Sequence, residues 1–267
     1  MPRFLVLLSA LGFVLLSLAA RLLPWFALAA LDERSLLRSM VTGTAALGAA
    51  LALTLALVRW RPSLPAANLR LLPGPRGLGQ ALVALGSGGA LFAGAYGLAL
   101  ALGGIEVRYT GLPAAELLRL LGVLLIATAL NAAWEEYTFR GWAFSICVKA
   151  FGPHRVALVL GALFGLAHLL NPSWTALAIV SVTIAGWLIS YTMLAFGDIA
   201  VPIGLHVGWN LTQSALTSSR FWVVRKGPRV LLSGGAYGLE ASLPGIGVTA
   251  LAAAAALVVY RRRAGKA

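Results

Sequence analysis

Apolar runs approaching twenty residues recur along the whole chain, at roughly 4–30, 40–58, 80–103, 116–149, 155–171, 174–196, 199–217 and 244–260. At about 1.5 Å of rise per residue, a helical run of about 20 residues crosses a hydrocarbon core about 30 Å thick. Such a chain has few folds open to it. In lipid every backbone N–H and C=O must be satisfied internally, which leaves helices and closed barrels. The pattern predicts an all-α fold, a polytopic transmembrane helix bundle of about eight spans. Composition agrees: of 267 residues 60% are hydrophobic and 11% charged, against about 25% charged in soluble domains, and the mean hydropathy is +0.89. No repeat, low-complexity tail or soluble domain interrupts the pattern, so residues 1–267 read as a single integral-membrane domain.

The net charge of +13 would suit a nucleic-acid binder, but its distribution points to topology instead. Arg59, Arg61, Arg70 and Arg76 fall in a proline-broken connection at 59–79. Arg155 lies in the connection 150–155, and Arg261, Arg262, Arg263 and Lys266 form the tail. Connections rich in Arg and Lys stay cytoplasmic. The connections near 32–38 and 104–116 balance their charges, and an even span count puts both termini in the cytoplasm. No nucleic-acid partner is expected. The segment 218–243 strains this scheme, because Arg220, Arg225, Lys226 and Arg229 fall on the outer side. Either the count is off by one there or the segment lies on the surface. Arg3 followed by an apolar run also fits a secretory signal, but apolar sequence resumes past Arg21 to Ala30, which favours a first span. Cys147 stands alone and permits no intrachain disulfide.

Five ionisable residues sit inside three of the apolar runs: Glu135, Glu136, Arg140, His168 and His206. Such groups are costly at membrane depth and tend to face a bundle interior or a water-filled cavity. Residues four apart share a helix face, so Glu136 and Arg140 are expected to pair. An ion pair locking helices together explains these two without any chemistry. It does not explain Glu135, which points about 100° away, on the face of Asn131 and with no cation on its own face. A carboxylate in an apolar cavity beside a second negative charge is a candidate general base.

Phe164 precedes His168 by one turn and His206 precedes Asn210 by one turn. Taken singly, each is as well explained by core packing or interhelical hydrogen bonding. Jointly, Glu135 and His168 can activate a water, and His206 with Asn210 can donate to the resulting oxyanion. His154 lies in a polar turn and reads as surface. Gly161 and Gly165 permit close helix approach on the fifth span, which would bring His168 near the fourth. Asp198 suits a helix cap better than a site rim. Trp60, Trp174, Trp209 and Trp222 suit span ends at the interfaces, while Trp134 and Trp142 suit packing beside the Glu pair.

The ordered set Glu135-Glu136-x-x-x-Arg140, Phe164-x-x-x-His168 and His206-x-x-x-Asn210 resembles the CAAX protease and bacteriocin-processing (CPBP, or Abi) family of intramembrane endopeptidases, related to the type II CAAX prenyl endopeptidase. The resemblance covers about 130–215, the expected catalytic core. It implies a glutamate-dependent, metal-free hydrolase with no cofactor. Glu135 and His168 would activate water, His206 and Asn210 would form the oxyanion hole, and Glu136, Arg140 and Phe164 would support them. Two His and a Glu could also hold zinc with an open position, although the helical signature His-Glu-x-x-His is absent.

The implied partner is a membrane-embedded or membrane-anchored protein substrate, lipidated or bearing a C-terminal signal, in a bacterial cytoplasmic membrane. Prenyl-protein processing, bacteriocin immunity and C-terminal sorting all remain open. Intramembrane Glu, His and Arg are also parts of proton-coupled transporters, though no internal repeat of the usual kind is evident. A non-catalytic immunity or scaffold protein is a third reading.

Overall fold

The computed structural model describes residues 2–27, 36–66 and 68–265. The end of the first expected span, most of the 32–38 connection and Lys266 lie outside these. The helices are α1 Arg3–Ala27, α2 Leu36–Trp60, α3 Pro75–Ala101, α4 Ala114–Arg140, α5 Trp142–Phe151, α6 Pro153–Ala167, α7 Ala176–Phe196, α8 Ala200–Thr217, a single turn α9 Val230–Ser233 and α10 Leu243–Ala264. Two short strands, β1 Ile105–Tyr109 and β2 Trp222–Lys226, make the only sheet among the described residues.

Local chemistry starts and stops these helices. Pro75 and Pro153 occupy first-turn positions, where the missing N–H costs nothing. The Thr175 hydroxyl caps α7 by accepting from the Ala178 N–H at 3.1 Å, and Ser242 caps α10 through the Gly245 N–H at 3.1 Å. Gly197 ends α7 in the left-handed conformation, φ 69°, which costs a glycine little.

The all-α polytopic bundle is as expected, with seven helical segments among the described residues long and apolar enough to cross a membrane. The expected seventh span, α8, fails that test of composition. It crosses inside the bundle nonetheless, against α3, α4 and α7, because it carries the polar residues of the site. Packing of α8 on α3 is close enough to need glycine. A Cβ at Gly208 would stand 1.9 Å from the Leu85 carbonyl oxygen, and one at Gly204 2.3 Å from that of Ala81. Both glycines face α3, which turns His206, between them in sequence, toward the opposite side.

Two expectations need correction. The fourth span is not continuous over 116–149: it breaks at Gly141 (ψ −135°) into α4 and α5. Any Cβ at Gly141 would lie 2.2 Å from the Tyr137 carbonyl oxygen. Gly161 and Gly165 serve α7 rather than α4, with a Cβ at each running into Trp187 and Thr183.

At one end of the bundle, the connection after α2 is stitched into the fold. Arg70 exchanges backbone hydrogen bonds with Gly197 (2.7 Å) and Ile199 (3.0 Å), and the Ala66 N–H donates to Ser145 Oγ at 2.8 Å. Asp198 is a cap here, as expected, accepting from the Ala200 and Gly74 N–H groups at 3.0 Å each. At the other end β2 pairs antiparallel with β1, Trp222 opposite Tyr109 and Lys226 opposite Ile105. The segment 218–243 is therefore a covering layer, and none of it is a helix long and apolar enough to cross a membrane.

Candidate active site

The buried seam of α4 turns polar near its end. Glu136 and Arg140 are both fully enclosed, with 0% side-chain exposure and 3.4 Å between Nη1 and Oε2. Arg140 is otherwise spent on α7, donating from Nη2 to the Gly186 carbonyl oxygen at 2.8 Å and from Nε to Ser190 Oγ at 3.3 Å. Its guanidinium lies 4.5 Å from the centre of the Phe164 ring. The expected pair is real, and it ties α4 to α6 and α7.

Glu136 does more than pair. Its Oε1 accepts from His206 Nδ1 at 2.7 Å, which fixes that ring from behind. A carboxylate accepts only, so Nδ1 carries a proton, and the ring nitrogen Nε2 is left to face Glu135, 3.9 Å from its Oε2. Glu135 is 21% exposed and lines a cavity, whereas Glu136 is enclosed.

His168 sits at the end of α6, where the helix tightens into a 3-10 turn. Its Nδ1 donates to the Phe164 carbonyl oxygen at 2.8 Å. With Nδ1 as the donor, Nε2 is the ring nitrogen left to face the cavity. Phe164 walls this imidazole at 4.8 Å between ring centres and His206 at 6.1 Å, so the expected Phe164–His168 relation holds and extends to the second histidine.

Glu135, His168, His206 and Asn210 all line one cavity of about 400 Å³ between the helices, within the range of small-ligand pockets. Glu135 and His168 face it without a hydrogen bond between them. Among the described residues no group of three His, Cys, Asp or Glu side chains could hold a metal ion. Trp209 belongs to this cavity and is not an interfacial anchor: it stacks edge-on against Phe92 at 5.3 Å and donates to Glu240 Oε1 at 2.9 Å. Trp134 and Trp142 pack as expected, Trp134 donating to the Ser17 carbonyl oxygen at 3.3 Å and Trp142 lying 5.9 Å from the Phe13 ring.

Sequence reasoning missed two contributors. The covering segment supplies Glu240 to the cavity wall and Tyr237 to the Phe139–Phe164 cluster. Burial, with the Glu240 carboxylate nearby, pushes the Tyr237 hydroxyl up to about 12, so it remains a neutral donor at ordinary pH. The other is Arg21 on α1, whose guanidinium donates to Asn131 Oδ1 and lies 4.6 Å from the centre of the Trp134 ring. It brings a cation from a neighbouring helix to the two residues that stand four and one before Glu135.

Residues 117–212 match the family described as type II CAAX prenyl endopeptidase Rce1-like. The matched stretch holds every residue of the three motifs, so the resemblance read from them is borne out, and with the apolar helices it supports an integral membrane protease in general. Among curated proteins none matches the chain.

Proposed function

We propose that this chain, from its Rce1-like core, is an intramembrane endopeptidase that hydrolyses a peptide bond in a membrane-embedded or membrane-anchored protein. The observation that carries this reading is the division of labour between adjacent carboxylates. Glu136 is sealed and spent on Arg140 and His206, while Glu135 opens onto the cavity opposite His168 and Asn210.

Water held between Glu135 and His168 attacks the scissile carbonyl carbon. Its proton passes to the Glu135 carboxylate, with the His168 Nε2 lone pair orienting the water. The carbonyl oxygen becomes an oxyanion that accepts from His206 Nε2–H and the Asn210 amide. Glu136 holds the His206 ring by its Nδ1 so that a proton on Nε2 points there, as the carboxylate orients the imidazole in a Ser-His-Asp triad. The proton on Glu135 then moves to the departing amine nitrogen as the C–N bond breaks, and both products leave with the enzyme unchanged.

The chemistry is assigned to side chains, with no cofactor. The rate is therefore expected to persist in excess chelator, measured on the purified protein. The cavity lies among helices and Arg-rich connections gather at one end, which supports a cytoplasmic-membrane protein with both termini in the cytoplasm.

Expression of wild type and Glu135→Gln in the native host, followed by terminal-peptide mass spectrometry of membrane and secreted proteins, tests the reading. Mature termini that vanish in the variant are expected, and would name the substrate and its cleavage site. Identical termini, with the variant stably folded, would overturn it in favour of transport or scaffolding.

A further inference from the structure

The buried face of α1 runs Val6, Ala10, Phe13, Ser17, a spacing of four, three and four that continues one further turn to Arg21. An arginine on that seam is costly within a span, and α1 lies wholly outside the matched segment 117–212. Its surroundings account for the charge. Asn131 is one turn before Glu135 on α4, and all its polar capacity on the amide nitrogen is spent at fixed distances, on Ser39 Oγ and the Ala127 carbonyl oxygen at 2.8 Å each. Its Oδ1 is left for the Arg21 guanidinium. Trp134, next to Glu135, supplies a ring face to the same guanidinium and an N–H to Ser17, one turn before Arg21. Arg140, one turn and a residue beyond Glu135 on α4, is engaged elsewhere, by Glu136, Gly186 and Ser190. Arg21 is thus held by Asn131 and Trp134, which lie four residues and one residue before Glu135 on α4.

We propose that Arg21 is a positioning residue for the reaction, a guanidinium delivered by α1 that fixes Asn131 and Trp134 and so keeps the neighbouring Glu135 aimed into the cavity. Arg21 does not line the cavity and does not touch the substrate. The proposal rests on the endopeptidase reading above. It makes the working site larger than its family core, completed by a helix that carries none of the family's motifs.

The test is steady-state cleavage by the full-length protein in liposomes, with the substrate identified by the terminal-peptide comparison, alongside melting temperatures. Arg21→Gln is expected to lower kcat roughly 10- to 100-fold with KM and melting temperature unchanged. Arg21→Lys, which keeps the charge and loses the planar fork, is expected to recover most of kcat. Wild-type kcat in Arg21→Gln would overturn the proposal and leave the endopeptidase reading standing. A fall in melting temperature matching the loss of activity, not recovered by Lys, would make Arg21 an interhelical clamp and overturn it too. Absence of cleavage by wild type itself would remove the endopeptidase reading, and the proposal with it.

Discussion

Glu135 and Glu136 are chemically identical and adjacent, yet 21% and 0% exposed. The 100° between successive residues on a helix sends one to the cavity and one into protein. Their substitutions should therefore separate. Glu135→Gln is expected to abolish cleavage, losing at least the 10²- to 10⁴-fold that general base catalysis contributes, with melting unchanged. Arg140→Leu leaves Glu136 buried without its cation and is expected to cost about 3–5 kcal/mol of stability, read as a large fall in melting temperature of the detergent-solubilised protein. The Glu136–Arg140 pair was legible in the sequence because its spacing of four lies within one helix. The His206–Glu136 bond was not, since 70 residues separate its partners and no local rule reaches that far. Arg21 was read only as a break in an apolar run, although the seam Val6, Ala10, Phe13, Ser17 points straight at it.

At the scale of elements, α8 shows why hydropathy alone undercounts functional spans. His206, Asn210 and Gln213 depress its apolarity because the cavity they line sits inside the bundle. The glycines beside His206 hold that helix against α3. Gly208→Val should force α3 and α8 apart, since even a methyl carbon would stand 1.9 Å from a carbonyl oxygen. Overpacking costs about 1–3 kcal/mol at sites that can adjust. Backbone adjusts poorly, so the expected fall in melting temperature is at or above that range, with cleavage lost as His206 moves. The break at Gly141 escaped sequence reading because glycine is tolerated in membrane helices, and the apolar pattern runs through it unchanged. The strand pairing inside 218–243, which the sequence reading left open between a miscounted span and a surface segment, escaped for a related reason: β2 finds its partner β1 more than a hundred residues away.

For the whole molecule, the charge pattern and the fold agree on two unlike ends. One gathers Arg59, Arg61, Arg70, Arg76, Arg155 and the arginines closing α10. The other carries the β1–β2 ribbon and the covering layer with Tyr237 and Glu240. In a Cys147→Ala background, Arg155→Cys and Lys226→Cys are expected to react with a membrane-impermeant thiol reagent from opposite faces, Lys226→Cys from outside intact cells. Labelling of both from one face would contradict the span count. The central claim, that Glu135 performs hydrolysis inside this bundle, is tested most directly by the cleavage rates of purified wild type and Glu135→Gln, reconstituted in the same bilayer at matched folded fraction. The account predicts cleavage by wild type and none detectable from the variant at an equal melting temperature. Equal rates from the two proteins would contradict it.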